Sequence, residues 1–240
     1  MRAYLAQTRA EVTMTLRRGD AVLLTLGIPV MLLVFFSLVH VLPTTTKEPI
    51  TFLAPGILAL AVMSTAMVSL GIATGFERSH GVLKRLGTTP LGRPSLLAAK
   101  ITAIALVEVV QVVVLVPVAL GLGWDPHGDV VPGMVAFFAA TVAFAGLGLL
   151  MAGTLRAEVT LAAANGVYLV LLLLGGMIVP LSKLPGGLAD AARLLPAAAL
   201  SDSLFHALGV GGGIPLESWL VLLVWAVAAP VAAALTFRWE

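Results

Sequence analysis

Residues 100–125 read KITAIALVEVVQVVVLVPVALGLGWD, and this stretch decides the fold. It has 24 positions between Lys100 and Asp125, and Glu108 is the only charged residue among them. An α-helix needs about 20 mainly apolar residues to cross the roughly 30 Å hydrocarbon core of a bilayer. The stretch is therefore long enough and apolar enough to span a membrane as a helix.

Five further stretches have the same character. Their uncharged lengths are 26, 28, 26, 24 and 20 residues, from Asp20 to Lys47, Glu48 to Glu77, Asp129 to Arg156, Glu158 to Lys183 and Glu217 to Arg238. Transmembrane strands would alternate in segments of about 10 residues, whereas residues 169–174 are apolar on every side. We therefore predict an all-α integral membrane protein, residues 1–240 forming one transmembrane domain. Its six spans are predicted at about 21–42, 52–75, 98–122, 132–154, 160–181 and 217–237.

The composition of the whole chain excludes other classes. The 240 residues are 60% hydrophobic and only 11% charged, against about 25% charged in a soluble domain. A water-soluble globule cannot cover itself with so few polar groups, and disordered chains are poor in apolar residues. The chain has no cysteine, which excludes disulfides and thiolate sites, and its net charge of +2 is too small to indicate nucleic acid as a partner.

Residues 1–20 are too polar to span and lack the cleavage site of a secretory signal. Leu5, Val12 and Leu16 recur near helical spacing. The other faces carry four basic residues: Arg2, Arg9, Arg17 and Arg18. The pattern predicts an amphipathic helix in the headgroup plane ahead of the first span; a frayed basic tail is the alternative.

Lysine and arginine are concentrated on one side of the predicted spans. That side receives 11 of the 14 basic residues, and the other receives only Lys47, Lys183 and Arg193. Cytoplasmic loops carry an excess of lysine and arginine. We therefore predict that both termini lie in the cytoplasm.

The cytoplasmic loop at 76–91 is longer than a simple connection requires. Its apolar residues are Val82, Leu83 and Leu86, and its polar residues include Glu77, Arg78, Lys84 and Arg85. Gly87 suits a helix end, and Thr89-Pro90 suits the start of the next helix. The loop is predicted to hold a short amphipathic helix that docks a soluble partner; a plain basic loop is the alternative.

The external connection at 180–216 is too apolar for an ordinary loop, for example at 197–200. It is also interrupted too often to span, by Pro185, Pro196 and Asp202 among others. Short re-entrant helices in the outer leaflet satisfy both facts, provided that protein covers their backbone ends.

Two segments resemble a known family. The first is Glu77-Arg78-x-x-Gly81-x-x-Lys84-Arg85-Leu86-x-x-x-Pro90-Leu91, followed by Leu96-Leu97-x-x-Lys100. The second is Gly175-Gly176-Met177-x-x-Pro180, followed by Pro185 and Leu195-Pro196. With the length, the six spans and the orientation, they resemble the ABC-2 type permeases, the membrane subunits of bacterial ABC exporters. The branch most similar is that of the daunorubicin exporters.

The resemblance implies a role for each unusual segment. Residues 77–87 would be the coupling helix that seats in a groove of the ATPase, and the N-terminal helix would run along the cytoplasmic face. The region 182–210 would be the re-entrant pair that caps the pathway, and spans two and five would line the dimer interface and the route. The chain would lie in the bacterial plasma membrane and export amphipathic small molecules, as in multidrug efflux or antibiotic resistance.

The sequence contains no Gly-x-x-x-x-Gly-Lys-Ser/Thr, the phosphate-binding loop of many ATPases. We therefore expect no catalytic site and no cofactor in this chain, with ATP and magnesium bound by a separate ATPase subunit. Two such ATPases and a second permease, identical or paralogous, would complete the transporter. The four histidines fall in different segments, so no metal site is expected.

Glu108 would lie about 12 Å into the third helix, eight residues beyond Lys100 at roughly 1.5 Å per residue. An acid at that depth is costly unless it is paired, hydrated or protonated, and is a functional candidate. Gln111 follows at i+3 on the same face and can share a hydrogen-bond network. A structural hydrogen bond to a neighbouring helix is the favoured interpretation, and proton coupling is the alternative.

Five side chains are candidates for a substrate path: Met63, Met67, Asn165, Tyr168 and Met177. Methionine repacks easily and suits a promiscuous apolar surface. Asn165 and Tyr168 share a face of the fifth span, as Met63 and Met67 do in the second. Ordinary helix packing is the alternative for each.

Two other function classes compete with an ATP-driven exporter. A secondary transporter would usually show inverted repeats and broken helices around a midplane site, and no such repeat is visible. An intramembrane enzyme needs a catalytic constellation, yet the chain has neither His-Glu-x-x-His nor Gly-x-Ser-x-Gly. The exporter permease is therefore the leading hypothesis.

The orientation can be tested by labelling, because the chain contains no cysteine. Single cysteines at Thr45 and His127 should react with an impermeant maleimide added outside intact cells, and one at Ser79 should not. Labelling at Ser79 under these conditions would overturn the orientation.

Overall fold

The computed structural model describes residues 2–17, 19–39, 49–88, 92–178 and 180–237. Over these residues the chain is helical and contains no strand, which confirms the all-α prediction there. The helices are α1 (Arg2–Arg17), α2 (Gly19–Leu38), α3 (Pro49–Val62), α4 (Leu70–Ser79), α5 (Val82–Leu86), α6 (Arg93–Gly121), α7 (Val130–Thr154), α8 (Ala157–Leu174), α9 (Gly186–Arg193), α10 (Pro196–Leu204) and α11 (Leu216–Thr236). A π-helical turn, Met63–Ser69, joins α3 to α4, and a second one, Phe205–Val210, follows α10.

Within the described ranges, five helices are long and apolar enough to cross a bilayer. They are Pro49–Ser79, Arg93–Gly121, Val130–Thr154, Ala157–Leu174 and Leu216–Thr236. These helices correspond to the second through sixth predicted spans. In the first predicted span the apolar helical segment is the shorter Thr25–Leu38, and residues 40–42 lie outside the described residues. The first predicted span, which would bring the total to six, therefore stays a prediction.

Helix α7 lies at the centre of the bundle, because α4, α10, α11 and the π-helical turn Met63–Ser69 all pack against it. Its glycines allow this close packing. A Cβ atom on Gly148 would lie 2.5 Å from the carbonyl oxygen of Met67, and one on Gly146 would lie 2.5 Å from the backbone nitrogen of Pro230 in α11. Lipid tails are as apolar as leucine, so close backbone approach at small residues is a main source of helix association in a bilayer.

Helix α1 is regular from Arg2 to Arg17, so the frayed-tail alternative does not apply to these residues. It packs chiefly against α6, where the Tyr4 hydroxyl lies 2.7 Å from Thr102 Oγ1. Leu5 and Leu16 are exposed, whereas Glu11 is buried. The exposed leucines suit a helix at the membrane surface, but its place in the headgroup plane stays a prediction.

The connection at 180–216, which is predicted to lie outside the cell, forms short helices as the sequence predicted. Every residue of α10 except Asp202 is buried, because this helix packs against α3, α7 and α11. Two hydrogen bonds tie the region to α11: Ser218 Oγ donates to Asp202 at 2.6 Å, and Trp225 Nε1 donates to the Leu194 carbonyl at 3.0 Å. Protein therefore covers α10, while entry of these helices into the membrane stays a prediction.

Replacing Gly148 by alanine tests the close approach of α7 to the second span. The new methyl group would meet a backbone oxygen that cannot move aside alone, so the helices must separate. Overpacking of this kind costs about 1–3 kcal/mol, which should lower the melting temperature in detergent by several degrees.

Gly166→Ala is the matched control, because Gly166 is also inside a helix and a Cβ atom there meets nothing within 4 Å. Its melting temperature should be unchanged or slightly higher, since alanine favours helix over glycine. Equal melting temperatures for the two variants would contradict the packing role of Gly148.

Candidate functional site

The loop after the second span folds into the predicted short helix, α5. Helix α4 ends at Ser79, and Gly81 has a φ of +72°, a left-handed conformation that glycine adopts at little cost. Gly87 follows the last residue of α5. The predicted helix start at Thr89-Pro90 lies outside the described residues, and the next described helix begins at Arg93 with Pro94 in its first turn.

The seven residues predicted to contact a partner divide between two sides of this loop. Leu83 is fully buried in the chain's own core, so the expectation that it seats in a partner's groove is wrong for this structure. Glu77 and Arg78 belong to the end of α4 and are half-buried. The outward residues are Val82, Lys84 and Arg85, with Leu86 partly exposed.

Arg78 fastens the end of α4 to the centre of the bundle. Its Nη2 donates a hydrogen bond to the carbonyl oxygen of Leu155, the residue that follows α7. Carbonyls at the end of a helix lack partners within the helix, and a charged donor satisfies them well. The loop is therefore held to the turn between α7 and α8.

A buried ion triad lies at the base of the same loop. The Lys100 ammonium is 2.7 Å from Glu11 Oε1 in α1 and 2.7 Å from Glu77 Oε2 in α4. The three side chains are 1%, 10% and 19% exposed in the order Lys100, Glu11 and Glu77. Lysine carries three N–H donors, so one ammonium can serve both carboxylates. Gln7 Nε2 adds a hydrogen bond to Glu11 Oε1 at 2.8 Å.

No pattern in the sequence indicates this triad, because Lys100 stands out there only as a basic residue of the family motif and of the charge rule. A signal for Glu11 was present, because it is the only acidic residue before Asp20 and lies among four arginines. Its partner could not be found from spacing, since the two residues are joined only by the packing of α1 on α6.

The intramembrane polar residues Glu108 and Gln111 are both buried, as expected, but they bond to different neighbours. Gln111 Nε2 donates to Thr65 Oγ1 at 2.9 Å and to the Thr25 carbonyl in α2 at 2.8 Å. Glu108 Oε2 accepts a hydrogen bond from Thr141 Oγ1 in α7. Each side chain thus bonds to a neighbouring helix, which supports the structural interpretation.

The hydrogen bonds of Thr141 indicate whether the side chain at position 108 should donate or accept a hydrogen. Its Oγ1 also lies 3.1 Å from the Phe137 carbonyl oxygen. A hydroxyl has a single hydrogen and can donate it to only one of these two acceptors. A side chain at 108 that brings a hydrogen of its own leaves Thr141 free to donate to Phe137.

The five candidates for a substrate path do not form one surface. Met63, Met67 and Met177 are at most 1% exposed and belong to the packed core, so an open methionine surface is wrong for this conformation. Asn165 is exposed on α8, where its Nδ2 donates to the Leu161 carbonyl at 2.8 Å. Tyr168 is half-buried. Asn165 and Tyr168 stay predictions.

A bundle of several helices able to cross a bilayer, with an anchored polar loop at one end, defines a multi-pass integral membrane protein. The sequence model of the ABC-2 type transporter family matches residues 2–208, and the chain belongs to this family. It is similar to the "Putative transport permease YvfS" of Bacillus subtilis (strain 168), 24% identical over 230 residues that cover 93% of this chain and 92% of that protein. The chain is therefore a transport permease of a bacterial membrane. Family members are membrane components, generally not catalytic themselves, and the family implies an ABC ATPase subunit as partner.

Substitution of Glu108 separates a structural role from an obligatory charge. Glu108→Gln should assemble and function, because the amide can donate to Thr141 Oγ1. Glu108→Leu should impair assembly, since it removes the hydrogen bond between α6 and α7, worth about 0.5–1.5 kcal/mol, although Thr141 keeps the Phe137 carbonyl as an acceptor. Size-exclusion profiles and melting temperatures of the purified variants measure this. A Gln variant that assembles normally but no longer transports would refute the structural role and favour proton coupling.

Proposed function

We propose that this chain is the membrane subunit of an ATP-driven exporter of amphipathic small molecules, and that α5 is its coupling helix. The observation that carries the proposal is the two-sidedness of the loop. Leu83 anchors it in the core, and Glu77 and Arg78 tie its base to Lys100 and Leu155. A movement imposed on α5 from outside must therefore be passed to the spans.

The outward face of α5 has the chemistry of a docking surface. Val82 is 42% exposed, and Lys84 and Arg85 beside it are exposed and basic. Because Val82 is already more than half buried, covering the rest of it is worth about 1 kcal/mol, less than half of the roughly 1.5–3 kcal/mol for a fully exposed side chain, before association costs are subtracted. Basic side chains at the rim add orientation and association rate more than affinity. An ATPase with an apolar groove between acidic rims fits this face.

A second permease, identical or paralogous, would cover the outer faces of α4 and α8, which pack against each other. A groove of about 550 Å³ runs along α4 from Ser69 to Val82. Asn165 is exposed on the neighbouring α8 and would face lipid in an isolated subunit, where polar side chains are uncommon. These features support the dimer interface that the family resemblance places at spans two and five.

The remaining parts of the proposal concern the membrane. We place both termini in the cytoplasm, from the basic residues, with α2 as the first of six spans. The external helices α9 and α10 would be the re-entrant pair, supported by the burial of α10 against three other helices. The substrate class rests on the family resemblance alone. A secondary transporter ranks second, because the family implies an ABC ATPase.

Val82→Asp tests the docking surface. The tagged chain would be co-expressed with the ABC ATPases of its own genome and purified in mild detergent. The unchanged chain should retain an ATPase with a phosphate-binding loop, and Val82→Asp should lose it, because a carboxylate would be buried against an apolar, acid-rimmed groove. Lys84→Ala should keep the ATPase at low salt and lose it more readily at high salt.

Val131→Asp is the matched control. Val131 is also an exposed valine in the first turn of a helix, where an acidic residue is tolerated, but it lies at the start of α7. Its ATPase yield should equal that of the unchanged chain. Full ATPase retention by Val82→Asp, or equal loss in both variants, would show that α5 is not the docking element.

A further inference from the structure

We infer that the Lys100 triad makes α1 part of the moving unit, so that α1 and the base of the coupling loop shift together when the ATPase acts. The inference rests on the proposed function, because it requires an ATPase that drives α5. It assigns to Glu11 and Lys100 a positioning role in transmission, beyond the docking role of α5 itself.

The triad lies at the base of the loop that carries α5. Glu77 precedes α5 and Lys100 follows it, so their contact at 2.7 Å closes the loop at its base. The third arm comes from Glu11, in the middle of α1. One ammonium thus joins the end of the second span, the start of the third and the N-terminal helix.

The contact between Lys100 and its two carboxylates resists separation. Lys100 is only 1% exposed, so its ammonium depends mainly on the two carboxylates for its hydrogen bonds. A carboxylate that moves away takes a charge-assisted hydrogen bond from the buried ammonium, which is unfavourable even though the other carboxylate still balances its charge. Ordinary apolar packing between helices can slide at little cost, whereas an ammonium held by two carboxylates holds both at fixed distance. Motion of Glu77 is therefore passed through Lys100 to Glu11.

The net negative charge of the triad allows one carboxylate to be neutralised without leaving Lys100 unpaired. The triad holds one positive and two negative side chains, so Glu11→Gln or Glu77→Gln each leaves Lys100 with one carboxylate. Neither variant leaves an unpaired buried cation. The two arms act in series from α4 to α1, so weakening either arm, by exchanging its carboxylate for a neutral amide, should have the same effect on the link between these helices.

The chain provides a matched control for a purely structural role. The Tyr4 hydroxyl bonds to Thr102 Oγ1 at 2.7 Å and so also joins α1 to α6. This contact involves neither the second span nor any charge. Tyr4→Phe therefore removes a contact between the same two helices and leaves the path from Glu77 to Glu11 intact.

The test measures distances by electron paramagnetic resonance in the full complex with the ATPase. Spin labels would be attached to cysteines at two exposed positions, Arg9 in α1 and Ser79 at the end of α4. A second pair, at Arg9 and His127, reports movement of α1 relative to the opposite end of the bundle. Each pair is measured without nucleotide and after trapping with ADP and vanadate.

In the unchanged chain and in Tyr4→Phe, trapping should shift the Arg9–His127 distance and leave the Arg9–Ser79 distance constant. In Glu11→Gln and Glu77→Gln, the Arg9–Ser79 distance should shift or broaden on trapping, with the ATPase still bound through α5. A constant Arg9–Ser79 distance in both Gln variants would overturn the inference. So would an Arg9–His127 distance that never changes in the unchanged chain.

The outcomes separate this inference from the proposed function. If no ATPase copurifies with the unchanged chain, the proposed function fails and the inference fails with it. If the ATPase binds and is trapped by vanadate while Glu11→Gln behaves like Tyr4→Phe, only the inference fails, and the triad is a structural contact.

Discussion

Hydrocarbon offers no hydrogen-bond partner to a peptide group, and this constraint determines most of the structure. Every backbone polar group at membrane depth must be satisfied inside its own segment, which only a helix achieves in an open chain. Helices that are apolar on all sides have no hydrophobic reason to associate in lipid, so close contact must do it. Gly146 and Gly148 in α7 allow that contact on two sides. The bundle is therefore arranged around a helix whose glycines let its neighbours approach closely.

The same constraint explains where the polar side chains lie. Glu108 and Gln111 each bond to a threonine of a neighbouring helix, and Lys100 is enclosed by two carboxylates. In a dry interior such contacts hold helices in one relative position, since separating the partners leaves an unsatisfied group. The region around α5 combines this rigidity with an exposed apolar and basic face. A loop that is stiff at its base and open at its surface suits the transfer of force from a soluble subunit.

The residue pattern predicts the short helix α5 but does not say which of its apolar residues point outward. Val82, Leu83 and Leu86 are equally apolar, and periodicity alone groups them without saying whether that group faces a partner or the chain itself. The structure buries Leu83 completely and leaves Val82 exposed, because α5 must seat one side chain in its own core to stay attached. The methionines were misjudged for the same reason. Side-chain chemistry describes what a surface would be suited to, whereas packing decides whether the surface exists.

Hydropathy alone determined the all-helical class and five helices able to span, because crossing about 30 Å of hydrocarbon demands a run of apolar residues that no other requirement produces. Gly87 likewise marked the end of α5, since helix ends are set by local backbone preferences, whereas the break at Gly81 that starts this helix was not predicted. Only the tertiary structure brought Glu11, Glu77 and Lys100 together. These residues come from three helices, and contacts between helices depend on how α1, α4 and α6 pack, which no local pattern in the chain records.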